Sequence, residues 1–186
     1  MNADETVIGR ILRVNHAGEH GAISIYSAQL AHVGDSRPEL RQWLEGTLAH
    51  ERAHCAAFRE AMHSRNVTPC GALAIWSVGG WVLGCLTALL GLRGVMACTA
   101  AVERAVHGHL GEQIAFLSHS DPALAALVQE IRREEMEHLA YAEGNLPSGS
   151  IRGRLVQPLV SLCTHLLIAL STQGASLRLN GVLRHR

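Results

Sequence analysis

An all-α bundle of four long helices, extended by one or two apolar helices, is the fold class that this 186-residue chain predicts. Three observations carry the prediction. Long stretches repeat apolar residues at helical spacing. No alternating apolar–polar run of useful strand length occurs. Apolar residues make up 48% of the chain against 17% charged, which supplies a core and excludes a disordered chain.

The elements follow in order. Met1 to Thr6 is polar and acidic, so it reads as neither a signal nor a transit peptide. A first helix is expected from Val7 to Val33, with Val14, Gly18, Ala22, Ile25 and Leu30 on one stripe. Gly34 to Pro38 has loop composition. A second helix runs from about Pro38 to Ser64, its Pro in the tolerated first turn and Leu40, Leu44, Leu48 and Phe58 on its apolar face. Residues 70–92 carry no charge. Gly79, Gly80 and Gly84 punctuate that stretch, and Trp76 and Trp81 sit inside it, so it reads first as a membrane-interfacial helix, with a membrane span and a buried core helix as the alternatives. Gly91 to Gly94 reads as a hinge into a long helix from about Arg93 to Ser118. Asp121 as N-cap and Pro122 at the first position open another, to about Glu143. A loop from Asn145 to Gly153 leads to a last apolar helix over 155–171, and the tail from Thr172 to Arg186 is expected to fray. The whole, 1–186, is read as one domain with membrane-facing segments at 70–92 and 155–171.

Charge and composition narrow the chemistry. Sixteen Arg balance sixteen acidic residues, so nothing favours nucleic acid, and the absence of Lys excludes lysine chemistry. Five scattered Cys, with no C-x-x-C pair, suit reduced thiols in a cytoplasmic setting. Twelve His are unusually many and direct attention to metal ligation.

Glu51 and His54, and Glu135 and His138, are both Glu-x-x-His pairs, a spacing that sets both side chains on one helix face. The signal is weak alone, since Glu60 and His63 make a third pair. An internal repeat is more selective. Glu19 precedes Glu51 by 32 residues, and Glu103 precedes Glu135 by 32, whereas Ala28 stands 32 residues before Glu60. One Glu from each of two helices and Glu-x-x-His from each of two others is a ligand set for two metals in a four-helix core. Four buried carboxylates need compensation, which two divalent cations supply. An oxygen-rich set with two His favours iron or manganese over zinc. His16, His20, His50 and His107 lie within a turn of these positions and read as surface or outer residues; Glu103 with His107 is the rival pairing. Tyr26, two turns beyond Glu19, shares roughly its face.

The runs Arg13-Val14-Asn15-His16-Ala17-Gly18-Glu19 with Gly21-Ala22, Gly84 through Thr87 to Gly91, and Ala97-Cys98-Thr99 with Ala101-Val102-Glu103 resemble the demethoxyubiquinone hydroxylases, di-iron monooxygenases of ubiquinone biosynthesis. The similarity extends from about Arg10 to Ser171. It implies a ferritin-like four-helix bundle with membrane-facing apolar helices, and hydroxylation of a demethoxyubiquinol ring with O2 and two electrons. It implies two Fe ions per chain, one held by Glu19 and His54, the other by Glu103 and His138, with Glu51 and Glu135 bridging, and a His near the site at His109. The implied partners are a polyprenyl quinone, O2, an electron donor such as NADH, and the membrane surface; a homo-oligomer is compatible with it. The implied location is peripheral, on the cytoplasmic face of the cell membrane. An apolar surface around Ile75, Trp76, Trp81, Val82 and Leu83, with Leu159 to Leu170, would admit the polyprenyl tail. The chain departs from the family pattern at His20 and Leu110, where Tyr is usual, and at Arg104, where an acid is common. The alternatives are a ferritin-like iron-storage protein and a metal-free, membrane-associated helical binding protein.

Overall fold

The computed structural model describes residues 3–34 and 37–146, and among these it contains helices and no strand. The helices are α1 (Ala3–His32), α2 (Pro38–His63), α3 (Leu73–Leu89), α4 (Gly91–Ser120) and α5 (Pro122–Gly144). The expected loop begins at Asn145, which caps α5; its residues from 147 on, the expected helix over 155–171 and the tail lie outside the described residues.

The first helix starts four residues earlier than its apolar pattern predicts. Asp4 and Glu5 occupy its first turn, where carboxylates favour the positive end of the helix dipole. Periodicity reads apolar residues and misses such a charged turn. The single stripe expected on this helix is also too narrow. α1 buries residues around most of its circumference, from Ile11 and Asn15 to Tyr26, Ala28 and Gln29, because α2, α3 and α4 all pack against it. Among its buried amides, Asn15 and Gln113 exchange two hydrogen bonds at 2.8 and 3.0 Å, and Gln29 Nε2 donates to Thr87 Oγ1 at 2.9 Å.

α3 lies along α1 through small residues. A Cβ added at Gly80 would overlap the Gly21 carbonyl oxygen, and one at Gly84 would overlap that of Ile25. Trp76 closes the same contact; it is buried, 3.0 Å from where a Gly21 Cβ would sit. This corrects the expected apolar surface, in which Trp76 faced outward. Leu83 is also only partly exposed and packs on the core. The outward face of α3 carries Ile75, Val78, Trp81, Val82, Leu86 and Leu89. No helix among the described residues is long and apolar enough to cross a membrane. Gly91, at φ +68°, supplies the left-handed residue between α3 and α4, so the hinge begins at the first Gly of the expected segment.

Two apolar layers fill the bundle. One joins Ile11 and Leu12 of α1, Phe58 and Met62 of α2, Leu110 and Leu117 of α4, and Leu124, Val128 and Ile131 of α5. The other joins Ile25 and Tyr26, Leu44 and Leu48, Met96 and Val102, and Ala142. High numbers on α1 thus meet low numbers on α2, and likewise for α4 and α5, so each pair is antiparallel. A polar layer lies between the two.

The turn into α5 is held by Asp121. Its Oδ1 accepts from the Leu124 amide at 3.0 Å, and both oxygens accept from Arg65 at 2.7 and 3.1 Å. The Arg65 guanidinium holds the Asp121 carboxyl below its ordinary value. Asp121→Ala is expected to cost about 2 kcal/mol, from a lost cap and a lost charge-assisted pair. The depressed value means that this stabilisation is present above the ordinary Asp range and lost as pH falls through the folded value. Thermal unfolding of both chains should therefore show a gap at neutral pH that narrows in acid.

Candidate metal centre

The polar layer consists of Glu19 on α1, Glu51 and His54 on α2, Glu103 on α4, and Glu135 and His138 on α5, each between 1% and 7% exposed. Each Glu-x-x-His pair projects both side chains inward because three residues make just under one helical turn. Ligand atoms of Glu19, Glu51, His54 and Glu135 all lie within 4.8 Å of one another, and so do those of Glu51, Glu103, Glu135 and His138. Glu51 and Glu135 belong to both groups.

Glu135 divides its two oxygens between the halves. Its Oε1 lies 3.1 Å from His54 Nδ1, and its Oε2 lies 3.1 Å from His138 Nδ1. His54 Nδ1 is also 3.9 Å from Glu19 Oε2, and His138 Nδ1 is 3.5 Å from Glu51 Oε1. Both imidazoles therefore turn Nδ1 toward the shared space. Their other nitrogens face outward: His54 Nε2 lies 2.7 Å from Glu134 Oε2, and His138 Nε2 lies 3.1 Å from His50 Nδ1. Tyr26 donates its hydroxyl to Glu103 Oε1 at 2.6 Å.

The rival pairings are kept apart. His107 pairs with Arg132 Nη2 at 2.8 Å, away from Glu103. Glu60 and His63 are exposed. His109 is half-buried on α4, outside both groups, and Leu110 packs in the apolar layer. Glu134 escapes sequence reasoning. It looks like one more surface acid beside Glu135, and only the packing of α5 on α2 sets it against His54.

Charge is the main difficulty of this layer. Burial first, then the Glu135 carboxylate, pushes Glu19 up to about 7. Burial and the neighbouring carboxylates push Glu51 and Glu103 well above the usual range. Burial works against an ionised Glu135 too, but hydrogen bonds from His138, His54 and Glu103 outweigh it and hold that group at about 2. Burial disfavours the His54 cation, yet Glu135, Glu19 and Glu134 together raise it to about 9. Without added positive charge the four carboxylates do not all ionise. Glu51 Oε1 is moreover buried with no well-aligned hydrogen-bond partner among the described residues, and His54 Nδ1 faces only carboxylate oxygens there. An anionic, oxygen-rich layer with unpartnered donor atoms turned inward suits a pair of divalent cations.

The metal-free chain should accordingly lose stability as pH rises. Raised carboxylates stabilise fully below their ordinary value and lose that as pH climbs through the folded value. His54, raised as well, loses its contribution above its ordinary range. Glu135 contributes evenly above its ordinary range and is weakened only in stronger acid. A falling thermal midpoint from about pH 5 to about pH 8, flattened by metal, is the expected result. A midpoint that rises over that range would contradict the charge distribution described here.

The fold and site together define a helical bundle with a buried carboxylate–imidazole layer in its core that could hold metal. Residues 6–171 match the family model described as ubiquinone biosynthesis protein COQ7, and the chain belongs to that family. It is 41% identical over 140 residues to the 3-demethoxyubiquinol 3-hydroxylase of Rhodospirillum rubrum, covering 74% of this chain and 66% of that protein. It is 39% identical over 141 residues to the human mitochondrial NADPH-dependent 3-demethoxyubiquinone 3-hydroxylase, covering 74% and 64%. It is 30% identical over 156 residues to the mitochondrial 5-demethoxyubiquinone hydroxylase of Saccharomyces cerevisiae, covering 76% and 67%. The matched stretch spans just under two thirds of the first two relatives.

Proposed function

We propose that this chain is a ferritin-like di-iron monooxygenase that hydroxylates the ring of a demethoxyubiquinol, consuming O2 and two electrons. The observation that carries the reading is Glu135 directing one oxygen toward each imidazole, in a chain whose relatives are named as hydroxylases of this substrate class. Glu19 and His54 would hold one metal, Glu103 and His138 the other, with Glu51 and Glu135 shared. Bound there, two irons would supply the redox step with O2. The balance is one oxygen atom into a ring C–H bond and one into water, with two electrons and two protons supplied. A reduced nicotinamide nucleotide, NADH or NADPH, is the proposed electron source.

The protein's own contribution is position and dryness. The apolar layers around Phe58, Met62 and Tyr26 exclude water from the centre. Glu134 and His50 orient the imidazoles, and Tyr26 fixes one Glu103 oxygen. Glu134→Ala is expected to weaken metal binding by roughly 10–100-fold while leaving the fold intact. Competition with a chelator measures this, and unchanged affinity would refute the orienting role.

The exposed apolar face of α3 supports a membrane-facing role for 70–92, a role we also propose for the apolar sequence 155–171. We propose a peripheral location on the cytoplasmic face of the membrane, in keeping with the free Cys55, Cys70, Cys85 and Cys98. Vesicle co-flotation should fall when Ile75, Trp81 and Leu86 are changed together to Ser. The decisive assay combines iron-loaded protein, a short-tail demethoxyquinol, O2 and either nucleotide. About two irons per chain and a product heavier by one oxygen support the hydroxylase. Heavy iron loading without organic product would mean storage, and no metal at all would mean a binding protein.

A further inference from the structure

A second constellation of metal-ligating atoms lies beside the centre but outside it. His16 and His20, one turn apart on α1, and Cys55 on α2 bring one ligand atom each to within 4.8 Å of one another. His16 is 3% exposed, and neither of its ring nitrogens has a hydrogen-bond partner among the described residues. Among the described residues its close ring neighbour is His20, edge-on with centroids 4.8 Å apart, a contact that satisfies no nitrogen. A buried imidazole left without partners is destabilising, because its lost hydration is not replaced. His20 and Cys55 are half-buried, so the ligand atoms open toward solvent on one side while His16 closes the other.

The donor set differs in kind from that of the main centre. Four carboxylates and two imidazoles suit hard, oxygen-seeking ions, whereas two imidazoles and a thiolate suit Zn2+, with water completing a four-coordinate shell. Glu19 and His54 are the chain neighbours of His20 and Cys55, but neither belongs to this second group. We propose that His16, His20 and Cys55 form a separate site for a single Zn2+ ion that ties α1 to α2. The ion supplies the partner His16 lacks and replaces the thiol proton, which is released on binding. Its occupancy is independent of whether the main centre holds iron.

The test uses the full chain loaded with iron, titrated with Zn2+ and, in parallel, with Co2+ as a spectroscopic substitute. One further equivalent of Zn2+ is expected, with a rise in thermal midpoint. With Co2+, a thiolate-to-cobalt charge-transfer band should appear in the near ultraviolet and vanish in Cys55→Ser. His20→Tyr should weaken Zn2+ binding by more than the roughly 10–100-fold that loss of an outer partner costs. Both substitutions are at half-buried positions, and unchanged helical circular dichroism verifies that the chains fold. In Glu51→Ala the cobalt band should persist, which separates this site from the main centre. A chain that takes up no Zn2+ beyond its iron, or a cobalt band that survives Cys55→Ser, overturns the proposal.

Discussion

Glu51→Ala and Glu135→Ala are each expected to empty the centre of metal and abolish turnover. Both residues belong to the two overlapping groups of ligand atoms, so either deletion strips a donor from both halves at once. Metal content should fall from the proposed two ions per chain to nearly none. The loss of rate should be on the order of 1,000-fold or more, since a bound metal contributes several kcal/mol to barrier lowering. Stability should move the other way. Burial and neighbouring carboxylates already disfavour the ionised Glu51, so metal-free Glu51→Gln is expected to melt no lower than the metal-free parent. A structural carboxylate would behave in the opposite sense, losing stability and leaving metal content alone. Glu60→Ala is the control; that residue is exposed, and its removal should be silent in both measurements. Retention of two metals and turnover in both core variants would defeat the ligand assignment.

Two glycines five residues apart on α3 should respond with opposite signs. At Gly84 an added Cβ would overlap the Ile25 carbonyl oxygen and lie 2.8 Å from the Ala28 Cβ. Backbone cannot yield as a side chain can, so Gly84→Ala must lift α3 off α1. The expected cost is about 3 kcal/mol, near the upper end for overpacking. At about 2–4 °C per kcal/mol for a chain of this size, the thermal midpoint should drop by roughly 6–12 °C. Gly79 has nothing among the described residues within 4 Å of the same position. There Ala improves helix propensity, and Gly79→Ala should add about 0.5–1 kcal/mol. Equal effects at both sites would mean that α3 does not rest on α1 through its small residues.

The order of the five described helices, and the six side chains of the polar layer, are legible in the chain because each depends on short-range regularity. Helical spacing aligns Leu40, Leu44 and Leu48; Asp121-Pro122 marks a helix start; a 32-residue repeat selects Glu51 over Glu60. Packing between helices has no such local signature. The inward turn of Trp76 follows from Gly21 opposite it, and the burial of α1 on several faces follows from having three neighbours. Glu134 meets His54 across 80 residues of chain, and Cys55 meets His16 and His20 across the α1–α2 interface. Composition and periodicity determined which residues could form a charged layer inside an apolar bundle. Only tertiary structure decided which atoms meet there, because side-chain contacts across helices depend on rotation and axial register that no single helix encodes.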